Sequence, residues 1–312
     1  MTQTRNSAYK TIDLHWTGRP KSIAAVLVQS DGVNAILDPG PASTIETLRA
    51  SLHSNGLGTQ DLNTILLTHI HLDHAAAVGA LVKENPRISV FVHEFGAKHM
   101  IDPSKLLASA GRLYGGEMQR LYGDVLPVPE ENIRPLAGGE TVSVGKRKFD
   151  ILYTPGHASH HLTFWDAQDR IAFVGDVAGI TVEGDTFIMP ATPPPDVDMA
   201  LWNKSLDAIE ALRPEKIFLT HFGYQHDAIA HMERYRKKLV EWTELTKALL
   251  ANGRTEEDAG REFVETTAAE TRNDVVSPGS ADHYIFNGGL YLSWLGLLRF
   301  VKKQKEKAQQ AT

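Results

Sequence analysis

The sequence predicts an α/β fold, and three observations support this prediction. Short apolar runs typical of strands alternate with segments that have helical periodicity. Side chains able to bind metal follow directly after several of the apolar runs, as expected where strand-end loops build a site. The composition, with 42% hydrophobic and 22% charged residues, is that of a globular chain that buries a core.

The first part of the chain gives the clearest alternation. Residues 22–28 and 33–38 are predicted strands joined by a Ser-Asp-Gly turn. A helix is predicted over 43–55, which begins with the capping-box pattern Ser-x-x-Glu. The next predicted elements are a strand at 63–68, a helix at 74–84 and a strand at 88–92.

Residues 94–135 interrupt the alternation. They combine helix-like pieces with several glycines and prolines, so we expect a helical insertion over one face of the sheet. The β pattern then returns. The further predicted elements are strands at 141–153, 162–165, 171–175, 186–189 and 216–220, and a helix at 198–212.

The end of the chain is predicted to be helical. Helices are expected over 226–252, 255–272 and about 282–305, because their apolar residues recur at helical spacing. We therefore expect a domain at 1–225 and a helical C-terminal extension at 226–312 that packs on the same domain. The run 290–301 is apolar on nearly all sides, which indicates a helix packed on the core or in a homodimer interface.

Composition limits the function. The 312 residues include no cysteine, which excludes disulfides, thiolate nucleophiles and cysteine metal sites. A net charge of -6 argues against a nucleic-acid partner. The N-terminus lacks an apolar signal region, and no apolar run approaches the ~20 residues that span a bilayer. We expect a cytoplasmic protein that does not bind membranes.

The strongest chemical signal is the segment THIHLDH at residues 68–74. Four potential metal ligands, namely His69, His71, Asp73 and His74, follow an apolar strand within six residues. One tetrahedral ion could hardly use all four from so short a loop, so the density implies two ions. Imidazole and carboxylate together suit zinc, with iron and manganese as alternatives.

Three more ligand-type residues follow predicted strands. His157 ends the sequence YTPGH, Asp176 ends FVGD, and His221 ends FLTH. Strand ends at one edge of a sheet bring such side chains together. These residues supply the additional ligands that a two-ion site needs.

The ordered set of motifs resembles the metallo-β-lactamase superfamily over roughly residues 20–225. The matching elements are HxHxDH, the histidine after TPG, the aspartate after a strand and glycine, and the last histidine after an apolar strand. Asp38-Pro39-Gly40 matches that superfamily's early Asp-x-Gly element. The resemblance implies a four-layer αββα sandwich with the metals at one edge of the two sheets.

The resemblance also implies the ligand roles. His69, His71 and His157 would hold one ion, Asp73, His74 and His221 would hold the other, and Asp176 would bridge them. Asp38 would orient a ligand without binding metal. A metal-bound hydroxide would then attack an electrophilic carbonyl or phosphorus, and Asp73 would steer the proton.

The reaction that we expect first is hydrolysis of a carboxylic ester, lactone, thioester or amide, as in the glyoxalase II-like and lactonase branches. This chain has Ala75-Ala76-Ala77 where those thioesterases commonly have glycines, which argues against a glutathione thioester. The alternatives are a phosphodiesterase or nuclease of the ribonuclease Z type and an iron-dependent oxidoreductase. A binding module on an inactive scaffold is a further alternative, against which the complete ligand set argues.

We expect that four side chains line the pocket of a small-molecule substrate. Tyr224 follows His221 by three residues, and a phenol there would bind an oxyanion. His160 follows the TPGH motif closely, and His283 and Tyr284 would reach the site from the C-terminal extension. For each of these residues, a role in packing is the alternative.

Overall fold

The computed structural model describes residues 8–251, 253–277 and 279–310. The chain divides into two compact units, 1–153 with 162–169 and 154–161 with 170–312. The predicted boundary at residue 225 differs from this division and stays a prediction. Parts of the predicted domains lie outside the described residues, namely 1–7, 252, 278 and 311–312.

The first unit contains a sheet, an antiparallel group of strands and the helices between them. Its elements are β1 (Tyr9–Asp13), β2 (Ala24–Ser30), β3 (Val33–Leu37), α1 (Ile45–Ser54), β4 (Thr64–Leu66), α2 (Leu72–Ala75), α3 (Val78–Glu84), β5 (Ser89–His93), α4 (Glu94–Ile101), α5 (Ser104–Tyr114), α6 (Met118–Tyr122), β6 (Ile133–Leu136), β7 (Thr141–Val144), β8 (Arg147–Tyr153) and β9 (Leu162–Asp166).

The sheet of the first unit has the strand order β1-β2-β3-β4-β5-β6. β1, β2 and β3 pair antiparallel, whereas β3, β4, β5 and β6 pair parallel. Ile36 lies opposite Ile65, which lies opposite Val90, and all three side chains are buried. Such continuous apolar runs are typical of parallel strands covered on both faces.

The strands β7, β8 and β9 form an antiparallel meander in the same unit. Tyr9 of β1 packs edge-on against Phe149 of β8, with ring centroids 6.3 Å apart. The Tyr9 hydroxyl also donates to the carboxylate of Asp166 in β9. The sheet and the meander therefore pack face to face within this unit, with Tyr9 between them.

The helices α4, α5 and α6 connect the neighbouring parallel strands β5 and β6, in which Val90 lies opposite Ile133. They form a long crossover connection, which parallel neighbours require. The predicted insertion at 94–135 therefore overlaps β6 at its end. Pro135 lies in this edge strand and is exposed, a position where a missing backbone N–H is tolerated.

The second unit combines short strands with long helices. Its elements are β10 (Ile171–Phe173), α7 (Met199–Ala211), β11 (Lys216–Leu219), β12 (Gly223–Gln225), α8 (Ala228–Ala251), α9 (Glu256–Asp274), α10 (Ser280–Gly288) and α11 (Leu290–Gln310). β10 and β11 pair parallel, and β11 and β12 pair antiparallel. The helix α7 begins after Asp198, whose carboxylate accepts hydrogen bonds from two backbone N–H groups of the first turn.

The C-terminal helices share an aromatic core within the second unit. Phe263 of α9 contacts Trp242 of α8 and Trp294 of α11, with ring centroids 5.4 and 5.6 Å away. A Cβ at Gly296 of α11 would lie 2.0 Å from the carbonyl oxygen of Thr192, so a glycine is needed where α11 meets the loop before α7. The apolar run at 290–301 thus has partners in its own unit.

The structure differs from the predicted elements at several places. Residues 186–189 form no strand and contribute one isolated bridge, between Ile180 and Met189. The helix predicted at about 282–305 is two helices, because Gly289 adopts a left-handed conformation with φ of 52°. The strands β1, β6 and β12 lie outside the predicted strands. None of the helices in the described ranges combines the length and the apolar character that a membrane span requires.

Candidate metal centre

Four predicted ligands of the first unit form what we name the first ligand cluster: His69, His71, Asp73 and His74. They follow β4 and continue into the short helix α2. Nε2 of His69 lies 3.0 Å from Nδ1 of His71, and Nε2 of His74 lies 4.0 Å from Oδ2 of Asp73. The ligand-type atoms of this cluster therefore lie close together in two pairs.

Asp38 orients two of these histidines. Its carboxylate accepts hydrogen bonds from the backbone N–H of Thr68 at 2.8 Å and from the Thr68 hydroxyl at 2.7 Å. The carboxylate also lies 2.9 Å from Nδ1 of His74. Because an ionised carboxylate only accepts, Nδ1 of His74 carries the hydrogen and Nε2 presents its lone pair.

The orientation of His69 follows from the same group. The Thr68 hydroxyl uses its one hydrogen on Asp38, so its oxygen accepts from Nδ1 of His69 at 3.1 Å. Nε2 of His69 is then the nitrogen with a lone pair, and it faces His71. Asp38 thus fixes the orientation of His74 directly and that of His69 through Thr68.

Gly40, in the predicted Asp-Pro-Gly element, fixes the position of α2. Its N–H donates to the carbonyl of His74, and its carbonyl accepts from the N–H of Ala77, both at 3.0 Å. The φ of Gly40 is +85°, and a Cβ there would lie 2.2 Å from Cδ1 of Leu14. A glycine is therefore required where this loop holds the ligand helix.

Three predicted ligands of the second unit form the second ligand cluster: His157, Asp176 and His221. Nε2 of His157 lies 3.7 Å from Oδ2 of Asp176, and Nε2 of His221 lies 3.8 Å from Oδ1. Each oxygen of the Asp176 carboxylate thus faces a different imidazole. All three side chains are buried.

The orientation of His157 is set by a loop far away in sequence. Nδ1 of His157 lies 2.7 Å from the carbonyl oxygen of Ala191, so this nitrogen donates and Nε2 presents its lone pair. The preceding Gly156 has φ of +140°, and a Cβ there would lie 2.4 Å from Cα of Trp202. The TPGH loop can therefore pack directly on α7.

His161 supports Asp176 and uses both ring nitrogens to do so. Its Nε2 accepts from the backbone N–H of Asp176 at 3.4 Å, and its Nδ1 donates to the hydroxyl of Thr154 at 2.9 Å. The ring is fully buried. His161 therefore positions the strand end that carries Asp176.

The two ligand clusters fit divalent metal ions in their donor chemistry. Imidazole nitrogen and carboxylate oxygen are the donors that zinc takes in the absence of cysteine, at about 2.0–2.2 Å. Two atoms bound to one such ion lie at most about 4.4 Å apart. The separations of 3.7, 3.8 and 4.0 Å are too long for hydrogen bonds and agree with shared coordination.

The four residues predicted to line the substrate pocket differ in their burial and in their contacts. Tyr284 is fully buried, and its hydroxyl donates to the carbonyl of Phe187 and accepts from the N–H of Val182, so it braces a loop. The ring of Tyr224 packs on Phe218 at 4.9 Å. His160 and His283 are half-buried.

A small apolar pocket of about 10 Å³, which is room for little more than one water molecule, adjoins the first ligand cluster. Ile70 and Leu72, which alternate with the ligands along the chain, line this cavity together with Ala75 and Ala76. Residues of α4, α5 and the segment after α6 form the opposite wall. The ligand segment is thus anchored by its apolar side chains on one face and carries its ligands on the other.

These motifs and clusters agree with a comparison to known families. The model of the metallo-beta-lactamase superfamily matches residues 18–221, which is well over half of the chain and includes all the predicted ligands. The chain belongs to the metallo-beta-lactamase superfamily. The predicted fold, an α/β sandwich of the metallo-β-lactamase type with helical additions, is thereby confirmed.

Several members of the superfamily are similar to this chain. A metallo-beta-lactamase fold-containing protein of Sulfurisphaera tokodaii is 28% identical over 187 residues, which is 59% of this chain and 69% of that protein. Its solved structure superposes with a TM-score of 0.62, at 24% identity, over 75% of this chain and 86% of that one. This structural similarity shows that the two chains share the metallo-β-lactamase fold.

Two relatives are hydroxyacylglutathione hydrolases by name. The enzyme of Legionella pneumophila (strain Corby) is 32% identical over 145 residues, which is 46% of this chain and 42% of that enzyme. The enzyme of Methylobacterium sp. (strain 4-46) is 27% identical over 284 residues, which is 85% of this chain and 95% of that enzyme. The chain therefore spans less than half of one of these metallo-β-lactamase superfamily enzymes and nearly all of the other.

Sequence reasoning assigned no role to several residues of this metallo-β-lactamase superfamily site. Thr68 and the carbonyl of Ala191 each fix a ligand nitrogen. Thr68 directly precedes the ligand segment, and its hydroxyl was the only signal, since a threonine hydroxyl can both donate and accept a hydrogen bond. The carbonyl of Ala191 offered none, because every residue has a backbone carbonyl.

Proposed function

We propose that this protein is a dinuclear metal-dependent hydrolase that acts on a carboxylic ester, lactone, thioester or amide. The observation that carries the proposal is the complete set of ligand-type side chains, among which His69, His74 and His157 each have a ring nitrogen oriented by a buried partner. Membership of the superfamily supports it. So does similarity along 284 residues to a protein named hydroxyacylglutathione hydrolase.

The proposed ligand set combines the two clusters. His69, His71 and His157 would hold one ion, Asp73, His74 and His221 the other, and Asp176 both. Zinc is the proposed metal because the donors are mainly imidazoles, with iron or manganese as the alternatives. Two such ions would polarise the attacked carbonyl and ionise a water near neutral pH.

The chain's own residues would orient the reactants and move the proton. Oδ2 of Asp73, on the side of His74, would act as a ligand, which leaves Oδ1 to accept a proton and pass it to the leaving group. The Asp73 side chain is 22% exposed, so a substrate can approach it. No serine or cysteine nucleophile is needed, and the chain has no cysteine.

Metal analysis and a substrate panel test this proposal. Purified full-length protein should contain two zinc ions per chain and should hydrolyse at least one of a set of p-nitrophenyl esters, lactones and thioesters. A chelator should abolish this activity, and added zinc should restore it. Zinc-loaded protein that cleaves only bis(p-nitrophenyl) phosphate would be a phosphodiesterase, and bound iron with oxygen consumption would indicate an oxidoreductase. Either result would refute the proposal.

The expectations about cellular context stay predictions. They are a cytoplasmic location, a small-molecule substrate, no nucleic-acid or membrane partner, and a homodimer. Size-exclusion chromatography with light scattering tests the last of these directly.

A further inference from the structure

A loop of the second unit, between β10 and α7, is closed by a pair of backbone hydrogen bonds. Ile180 and Met189 each donate an N–H to the carbonyl oxygen of the other, both at 3.0 Å. We name residues 176–192 the bridged loop. It begins with Asp176, so one member of the second ligand cluster belongs to the loop itself. Because the two arms are joined, a displacement of one arm is passed to the other.

The bridged loop also contacts the other two members of the second ligand cluster. The backbone N–H of Thr181 donates to the carbonyl oxygen of His221 at 2.6 Å, which fixes the backbone of this residue. The carbonyl oxygen of Ala191 accepts from Nδ1 of His157 at 2.7 Å, which fixes the ring. The position of the bridged loop therefore determines how all three ligand-type side chains of this cluster meet.

The helix α8 holds the start of the bridged loop. Nε2 of the buried His231 lies 2.8 Å from the carbonyl oxygen of Ala178, which accepts its hydrogen. At Gly179 a Cβ would lie 2.5 Å from Cε2 of Tyr235, whose ring is fully buried. The two contacts come two and three residues after Asp176, so α8 fixes the arm that carries this carboxylate.

The helix α10 joins the two arms of the bridged loop through one hydroxyl. Tyr284 is fully buried, and its hydroxyl accepts from the N–H of Val182 at 2.9 Å and donates to the carbonyl oxygen of Phe187 at 2.6 Å. One turn later, a Cβ at Gly288 would lie 2.0 Å from Sδ of Met189. The backbone of α10 thus lies directly against the loop.

The helix α11 holds the end of the bridged loop. The hydroxyl of Thr192 donates to the carbonyl oxygen of Ser293 at 3.3 Å. A Cβ at Gly296 would lie 2.0 Å from the carbonyl oxygen of Thr192, so a side chain at Gly296 would displace this backbone. Thr192 directly follows Ala191, whose carbonyl oxygen orients His157. A shift of Thr192 therefore moves the group that orients a ligand-type ring.

These contacts come from outside the part of the chain that matches the superfamily model. The match ends at residue 221, and α8, α10 and α11 follow it. We propose that these three helices hold the bridged loop in place and thereby set the metal affinity of the second ligand cluster, with Tyr284 and Gly296 as positioning residues. The inference rests on the proposed function, because it requires that this cluster binds a metal ion.

Two variants of the full chain test this proposal in a competition titration with a chromophoric chelator. In Gly296→Ala, zinc affinity should fall about 10- to 100-fold, because the new methyl group displaces the loop that orients His157. In Tyr284→Phe it should fall about 3- to 10-fold, because the ring still packs but its neutral hydrogen bonds are lost. Tyr291→Phe is the matched control, since Tyr291 is 54% exposed on α11, and its zinc affinity should equal that of the wild type.

A second glycine of the C-terminal helices separates positioning from a general loss of stability. At Gly260 a Cβ would lie 2.6 Å from Nε1 of Trp294, so Gly260→Ala disturbs the packing of α9 on α11 instead of the contact between α11 and the bridged loop. Urea unfolding measures the stability that each variant loses. Zinc affinity should fall in Gly296→Ala and stay at the wild-type value in Gly260→Ala. The visible spectrum of the cobalt-loaded protein should change in Gly296→Ala and Tyr284→Phe alone.

The zinc titration needs no substrate, so it separates this inference from the proposed function. Wild-type zinc affinity in folded Gly296→Ala and Tyr284→Phe would overturn the inference even if the wild type is a hydrolase. An equal loss of zinc affinity in Gly260→Ala and Gly296→Ala would overturn it too, because affinity would then follow stability. If Gly296→Ala does not fold, Tyr284→Phe decides. Weaker zinc binding in the two variants, without any hydrolysis by the wild type, would retain the inference and refute the proposed function.

Discussion

Oδ2 of Asp38 lies 2.9 Å from Nδ1 of His74, and both residues are fully buried. The same oxygen accepts the hydroxyl hydrogen of Thr68 at 2.7 Å. One carboxylate thus determines which ring nitrogen of His74 presents a lone pair and, through Thr68, does the same for His69. Asp38 therefore organises the first ligand cluster through hydrogen bonds to its histidines and to Thr68.

Asp38→Asn tests this relationship. The substitution keeps the size of the side chain and the left-handed backbone of Asp38, where φ is 48°, because asparagine tolerates that conformation. It replaces an acceptor oxygen by a donor group, so Thr68 and His74 cannot both be satisfied. We expect zinc affinity to fall about 10- to 100-fold in a competition titration with a chromophoric chelator.

Asp31→Asn is the matched control for that variant. Asp31 also has a positive φ, of 52°, but it lies in an exposed turn and pairs with Lys146. Its substitution should leave zinc affinity unchanged. A folded Asp38→Asn protein with the zinc affinity of the wild type would contradict the role assigned to Asp38.

Asp73→Ala and His157→Ala should each remove most of the hydrolytic activity. Each variant removes a ligand, and Asp73→Ala also removes the proposed proton acceptor. Turnover and zinc content are measured together, with His53→Ala, on the exposed face of α1, as the control. Near wild-type turnover with unchanged metal content would refute the assignment. Full activity with one metal retained would exclude a dinuclear mechanism.

Gly156→Ala should destabilise the second unit. The new Cβ would lie 2.4 Å from Cα of Trp202, at a φ of +140° that alanine rarely adopts. Strain and overpacking together should cost about 2–4 kcal/mol in urea unfolding followed by tryptophan fluorescence. Gly184→Ala separates the two causes, since Gly184 has φ of +84° with open space around it, and it should cost about 1 kcal/mol. An equal decrease in the free energy of unfolding in the two variants would show that the contact with Trp202 contributes nothing to the destabilisation.

His231 should make stability depend on pH below neutrality. Burial lowers the pKa of this histidine to about 4, and Nε2 lies 2.8 Å from the carbonyl oxygen of Ala178, to which the neutral ring donates. The unfolded chain takes up a proton near pH 6.5, whereas folded His231 does so only near pH 4. Its contribution to the free energy of unfolding is therefore present above about pH 6.5 and lost as pH falls to about 4, on the order of 3 kcal/mol in total.

His231→Gln should flatten this dependence. The glutamine amide can donate to the same carbonyl but does not titrate. Urea midpoints of the two proteins are compared at pH 7.5 and pH 5, with His53→Gln as an exposed control. If the variant loses as much stability on acidification as the wild type does, His231 is not the group responsible.

Local patterns made much of the fold and of the candidate site predictable. The strands β2, β3, β4 and β5 are short apolar runs, and periodicity identifies such runs from neighbouring residues alone. The ligand-type residues are visible because each follows such a run. By contrast, the sequence does not predict β6, because the segment around Pro135 resembles a loop. Proline is tolerated in this strand because the strand lies at the edge of the sheet, which only the tertiary structure shows.

The orientation of each ligand required the tertiary structure. Nδ1 of His157 meets a carbonyl 34 residues away, and Nδ1 of His74 meets a carboxylate 36 residues away. Nothing in the local sequence distinguishes one ring nitrogen from the other, since each histidine offers both. The contact between the rings of Tyr114 and Tyr122 likewise depends on where α5 and α6 end.

The sequence by itself determined which side chains can bind metal and in which order they follow the strands, because ligand chemistry and strand periodicity are properties of adjacent residues. Only the tertiary structure decided which nitrogen of a histidine faces its neighbouring ligand and which groups hold it there. These features depend on hydrogen bonds and packing between segments that are distant in the chain, which folding brings together.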